Sequence, residues 1–136
     1  MYDHILVPTD GSENALPAIE HAVTMAARFG ATVHALSVAP YVVTRDRIRH
    51  DPEERSESAV EAVERNCHDH DVDVTTVVRR GDPAREILAY IDDGTVDAVV
   101  MGTHGKTGIG SVFFGSVADR VVKNAEVPVT TVRPKE

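Results

Sequence analysis

Gly102-Thr103-His104-Gly105, followed nine residues later by Gly115-Ser116, is the segment of this 136-residue chain best equipped for chemistry. Glycine carries no Cβ, so main chain built from it can approach an anion closely or turn sharply. The run Val96 to Met101 before it reads as a buried strand. After it, Ser116-Val117-Ala118-Asp119 reads as a helix start, with Ser116 as the cap and Asp119 three residues on. A strand, a glycine-rich loop and a helix N-terminus together make a phosphate site, because the free N–H groups of a helix start point at an anion. Residues 102–115 also exceed the roughly two to six residues of an ordinary strand-to-helix connection, and long ordered loops are usually functional.

A second cluster of turn residues, Pro8-Thr9-Asp10-Gly11-Ser12, follows the apolar run Ile5-Leu6-Val7. Asp10 has two readings. With phosphate oxygens it would suit Mg2+, which commonly takes one or two carboxylates beside substrate phosphates. Alternatively it closes an Asx turn. Ser116 is similarly open between a phosphate contact and a simple helix cap, since a hydroxyl that caps the helix is not free for phosphate. His104 could stack near a ribose or fill the loop, and Lys106 could touch phosphate or lie on a mobile loop.

Other motifs fail on spacing. Gly105-Lys106-Thr107 suggests a P-loop, but that motif needs a glycine where Val100 stands. A phospho-receiver domain shares the alternating topology, yet it needs an acceptor aspartate at the end of the third strand, where this chain has Arg79-Arg80. Cys67-His68-Asp69-His70 lacks a second ligand cluster at metal-site spacing and reads as a solvated helix end. No Ser-His-Asp or paired-carboxylate arrangement supplies a general base, so no catalytic residue is assigned and the chain does not read as a dedicated enzyme.

The elements that must position these residues follow from periodicity. Leu16, Ile19, Ala22, Val23, Ala26 and Ala27 mark a helix that Gly30 stops, and Pro17 predicts that the regular helix starts near it after a looser turn. A second strand runs from Ala31 to Ala39. Residues 44–57 read as a charged loop leading into a helix carried by Ala59, Val60, Val63 and Cys67, which ends near His70. Alternation from Val72 to Val78 gives a third strand. Gly81-Asp82-Pro83 opens a helix with Ile87, Leu88 and Ile91 on its apolar face, ended by Gly94. After the 96–101 strand and the glycine loop come a short helix to about Asn124 and a last strand, Val127 to Val132. This β-α alternation implies a single domain over residues 1–136, a parallel sheet with helices on both faces. Ligands of such sheets bind at the carboxyl ends of strands beside the topological switch point, here flanked by the first and fourth strands.

Composition narrows the functional classes. A net charge of −8 argues against a basic nucleic-acid-binding face, and no apolar run approaches the ~18 residues that span a bilayer. The amino terminus enters a strand without a signal-peptide core, and Cys67 is the only cysteine, so the expected location is cytoplasmic. Lys106, Lys123 and Lys135 are the only lysines among 14 basic residues, against 22 acidic ones. That bias resembles salt-adapted proteins, whose acidic surfaces stay soluble at high ionic strength; an ordinary acidic bacterial or archaeal protein is the alternative.

The spacing Gly102-x2-Gly105-x9-Gly115-Ser116 resembles the ATP-binding signature of the universal stress protein family. His4 to Ser12 resembles that family's opening strand and loop, Gly81-x-Pro83-x3-Ile87 its third helix entry, and Val127-Pro128-Val129 its closing strand. The likeness covers essentially the whole chain. It implies an open, Rossmann-like, five-stranded parallel sheet of order 3-2-1-4-5. It also implies membership of the nucleotide-binding subgroup, since members without the glycine signature do not bind. By the same resemblance Gly102 and Gly105 approach ribose and phosphates, and Gly115 and Ser116 hold the phosphate tail. Asp10 lies by the ribose and metal, Pro8 and Thr9 line the pocket, and Val38 meets adenine through its main chain; Met101 and Val117 complete the set. Binders often have a hydroxyl residue where this chain has Ala118, a departure that would weaken the phosphate grip.

The function expected is an ATP-binding sensor or regulator of the stress response, using ATP with Mg2+ and hydrolysing it slowly at most. It would form a homodimer through the last strand and act on a downstream protein, with no nucleic-acid or membrane partner. A nucleotide-hydrolysing or adenylating enzyme of the same superfamily is the alternative, which rapid ATP turnover would reveal. A non-nucleotide interaction module is a third reading, which absence of ATP affinity would support.

Overall fold

The computed structural model describes residues 2–40, 52–103 and 112–134. In chain order the elements are β1 (His4–Pro8), a 3-10 turn (Glu13–Ala15), α1 (Leu16–Phe29), β2 (Thr32–Ala39) and α2 (Pro52–Asp69), followed by β3 (Val74–Arg80), α3 (Pro83–Asp92), β4 (Ala98–Gly102), α4 (Val112–Asn124) and β5 (Val129–Val132). The strands form one sheet of order β3-β2-β1-β4-β5, and every pairing is parallel. The fold class and strand order expected from the sequence are those observed.

β1 and β4 are central, covered on both faces, and their sequences HILVP and AVVMG are accordingly almost wholly apolar. Alternate residues feed two cores. Ile5, Val7, Val33 and Val100 pack with Val23 of α1 and Val63 of α2. Leu6, Leu36, Val99 and Met101 pack with Ile87 of α3 and Val121 of α4. Burying each such side chain contributes about 1.5–3 kcal/mol, so the two layers fix which helix lies on which face.

Local chemistry sets the helix bounds. The chain enters α1 through the 3-10 turn and places Pro17 in the first turn, where a missing N–H costs nothing. Gly30 ends α1 in the left-handed region, φ 68°. Asp82 caps α3, its carboxylate accepting from the Arg85 N–H at 3.0 Å.

Several boundaries differ from the sequence expectation. α2 begins at Pro52, whereas a loop was expected to reach residue 57. Proline and two glutamates suit a first helical turn. Among its described side chains the first buried one is Ser56, so its apolar stripe begins a turn late. β3 starts at Val74 because the chain first reverses at Asp71, φ 57°, and it continues through Arg79 and Arg80, charges that an edge strand accommodates. β4 and β5 each begin two residues later than expected, at Ala98 and Val129. The largest correction concerns α4. It begins at Val112, so Ser116 lies inside the helix and is not its cap. Among the described residues no helix is long and apolar enough to cross a membrane.

Candidate functional site

β1 pairs with β2 on one side and with β4 on the other, so the direction of the crossovers reverses between β1 and β4. In open sheets of this kind the ligand crevice lies outside the carboxyl ends of the two strands at that point. Pro8 is paired with Leu36, and the Thr9 N–H donates to the Leu36 carbonyl at 2.9 Å, extending the ladder one residue past β1. On the other side Leu6 is level with Val99; the same register puts Pro8 level with Met101 and Thr9 level with Gly102. Val38 stands two residues beyond Leu36 on β2, half-buried on the α3–α4 face.

The turn leaving β1 is tightly organised. The Thr9 hydroxyl accepts from the Gly11 N–H at 3.1 Å. Asp10 Oδ1 accepts from the Ser12 N–H at 2.9 Å and from the Ser12 hydroxyl at 2.7 Å. The Asx turn considered for Asp10 is therefore realised, and it holds the half-buried carboxylate at the mouth of the crevice. Gly11 has φ 82°, and a Cβ there would stand 3.1 Å from the Ala59 side chain of α2. Glycine thus serves both the turn and the approach of α2.

On the β4 side, Gly102 closes the strand and the Thr103 N–H donates to the Val132 carbonyl at 3.2 Å. A Cβ at Gly115 would lie 3.3 Å from the Thr103 carbonyl oxygen. The absence of a side chain at 115 lets α4 lie against the exit of β4. Ser116 is exposed beside it, whereas Val117 turns into the core. Met101 is fully buried and Pro8 and Thr9 are buried too, so Met101 can offer a ligand only its main chain. The structure therefore brings Pro8, Thr9, Asp10, Val38, Met101 and Gly102 to one end of the sheet, with Gly115, Ser116 and Val117 on the adjoining helix. Gly105, His104 and Lys106 lie outside the described residues.

Ties around the crevice fix the flanking helices. A buried pair, Ser37 Oγ donating to Ser56 Oγ at 3.2 Å, joins β2 to α2, and Arg80 meets Glu53 at 2.9 Å nearby. Arg120 of α4 reaches Asp82 at the start of α3, 3.2 Å away.

A family model for the universal stress proteins matches residues 1–133. The chain belongs to the universal stress protein family. A universal stress protein of Methanocaldococcus jannaschii is 37% identical to it, over 100% of this chain and 85% of that one. The solved structure of a second protein from that archaeon superposes with a TM-score of 0.81 at 29% identity, covering 100% of this chain and 99% of the other. A universal stress protein of Arabidopsis thaliana, solved with AMP bound, shares the fold at a TM-score of 0.74 and 19% identity, covering 98% of this chain and 92% of that one.

The sequence reading missed a polar chain at the opposite end of the sheet. His4 Nδ1 lies 3.0 Å from His34 Nε2, and His34 Nδ1 lies 2.7 Å from the Tyr90 hydroxyl. The one available signal was a histidine interrupting the apolar second strand. Cys67, by contrast, is an inert core residue: burial, reinforced by Glu64, pushes its thiol up to about 11.

Proposed function

We propose that this universal stress protein binds ATP in the crevice between the exits of β1 and β4 and acts as a nucleotide-dependent regulator rather than an enzyme. The observation that carries this reading is the juxtaposition of the Asp10 turn with Gly102 at the switch point, beside a helix that Gly115 allows to close in. Pro8, Thr9 and Val38 would line the base and ribose side, the last through its main chain. Met101 and Gly102 would offer backbone groups, and Gly105, Gly115, Ser116 and Val117 would form the phosphate side. Because α4 starts upstream of Gly115, Ser116 would act from within the helix rather than as its cap, and Gly115 through the space it leaves.

Mg2+ fits the donor set as a cation shared between one carboxylate and phosphate oxygens. Asp10 would hold it, oriented by the two hydrogen bonds from Ser12. The ion would neutralise phosphate charge, which matters in a chain of net charge −8. AMP in the Arabidopsis relative occupies a protein of this fold and supports an adenine nucleotide as the ligand class.

The test is direct. Ligand released by heat from the purified protein is identified by mass spectrometry, and the emptied protein is titrated with ATP, ADP and AMP, each with and without Mg2+. Binding of ATP with slow or no turnover is expected. Absence of adenine-nucleotide affinity would overturn the reading, and rapid turnover would make the protein an enzyme.

A further inference from the structure

The His4–His34–Tyr90 chain lies at the amino end of the sheet, away from the crevice. It links β1, β2 and α3 by two contacts, of 3.0 and 2.7 Å. His34 is 6% exposed and Tyr90 9%, while His4 is half-buried. Each contact needs one proton between its two atoms and one lone pair to receive it. Two neutral rings satisfy both contacts. One added proton is also accommodated: His4 as imidazolium donates from Nδ1 to Nε2 of a neutral His34, whose own Nδ1–H donates to the Tyr90 oxygen. A second proton is not. Both facing nitrogens then carry hydrogens, and no lone pair remains between them.

We propose that His4, His34 and Tyr90 form a one-proton latch, which holds α3 to the amino end of β1 and β2 at neutral pH and releases it on acidification.

The surrounding charges set how many protons the latch tolerates. From the loop before β4, Asp97 accepts from the Asp3 N–H at 2.9 Å and from the His4 N–H at 3.4 Å, placing one carboxylate beside the pair. From β3, the Arg79 guanidinium lies 5.1 Å from the centre of the Tyr90 ring and is itself paired with Glu86 and Asp93 at 3.6 and 4.0 Å. Asp97 acts on the pair from one side, with Asp3 exposed next to His4, and a second imidazolium would face the first across 3.0 Å. Burial first, then repulsion from His4, holds His34 below its ordinary value of 6.5, with Asp97 acting in the opposite direction. The folded chain thus binds a proton at His34 less readily than the unfolded chain. The stability that follows is complete above the ordinary histidine value and is lost as pH falls through it toward the folded value.

The imidazole resonances of the wild type are followed by NMR from about pH 8 to pH 5, alongside amide exchange corrected for its intrinsic pH dependence. Two separated titration steps are expected, as for any strongly coupled pair. At the second step the amides of α3 should lose protection by roughly tenfold relative to α1, the scale of one lost buried hydrogen bond. His4→Gln supplies the control, because its amide oxygen can accept from a protonated His34. In that variant His34 should titrate in one step at higher pH than in the wild type, and the acid loss of α3 protection should vanish. Overlapping independent titrations, α3 protection that survives both steps, or acid release retained in His4→Gln would each overturn the latch.

Discussion

Replacing Asp10 separates the turn from the ligand. In the structure one carboxylate oxygen accepts two hydrogen bonds, from the Ser12 N–H at 2.9 Å and the Ser12 hydroxyl at 2.7 Å. Bonds to a charged acceptor are worth up to ~1.5–3 kcal/mol each, but Ser12 is half-exposed and its donors can turn to water once the acceptor is gone. Asp10→Ala should therefore destabilise the fold by about 1–2 kcal/mol. For a domain of this size that is a fall in Tm of roughly 3–8 °C. Asp10→Asn keeps an amide oxygen in the accepting position and should stay within ~0.5 kcal/mol of the wild type. The two variants should part company in stability and agree in binding. If the carboxylate charge holds Mg2+ or the ribose, both lose affinity for ATP with Mg2+ by about 10–100-fold, equivalent to ~1.4–2.7 kcal/mol. Thermal unfolding and calorimetric titration of the three proteins supply both quantities. Wild-type affinity in a folded Asp10→Asn protein would refute the ligand role and leave Asp10 as a turn residue.

Gly115→Val should abolish ATP binding while leaving the domain folded, because its side chain must displace the Thr103 carbonyl that stands 3.3 Å from the Cβ position. Gly115→Ala is the milder probe: a helix-propensity gain of about 1 kcal/mol opposes the close contact, so its Tm should move little while affinity falls. Calorimetric titration reads both, and unchanged affinity in the folded valine variant removes Gly115 from the site. Cys67 should resist alkylation in the native protein at pH 8 and react only after unfolding, since a thiol displaced to about 11 is about one part in a thousand thiolate there. Mass spectrometry after iodoacetamide treatment checks this, and rapid native labelling would contradict the burial. The wild type should sediment as a homodimer joined through the exposed edge of β5, Val129–Val132, and a monomer at micromolar concentration in both low and high salt would refute that interface.

Much of the fold was legible because burial imposes a period on the sequence. Short apolar runs such as Ile5-Leu6-Val7 and Ala98–Met101, bounded by turn residues, read as central strands of a covered sheet, and Gly30 and Asp82 announce a helix end and a helix start by local chemistry. Where the apolar signal is thin, element boundaries are less legible. The first turn of α2 is charged, with Glu53, Glu54 and Arg55 exposed, so local apolar pattern does not mark its start. Ser116 has the composition of a cap, yet α4 begins upstream of it, and Val117, Ala118 and Val121 pack that helix against the sheet.

The candidate site divides the same way. Its residue types, and their gathering at the carboxyl ends of the first and fourth strands, were written in the sequence, because turn residues and glycines act through their own backbone. The Asp10 turn closes locally, on Ser12 two residues on, whereas how near Gly115 comes to Thr103 depends on how α4 packs against the end of β4. Nor could any local pattern foresee His4, His34 and Tyr90 meeting, with separations of 30 and 56 residues between successive partners. Sequence determined the alternation, the strand cores and the chemistry available at each turn, because these follow from neighbours along the chain. Tertiary structure alone decided which polar groups share protons, since that requires strand register and helix packing to bring distant side chains within a hydrogen bond.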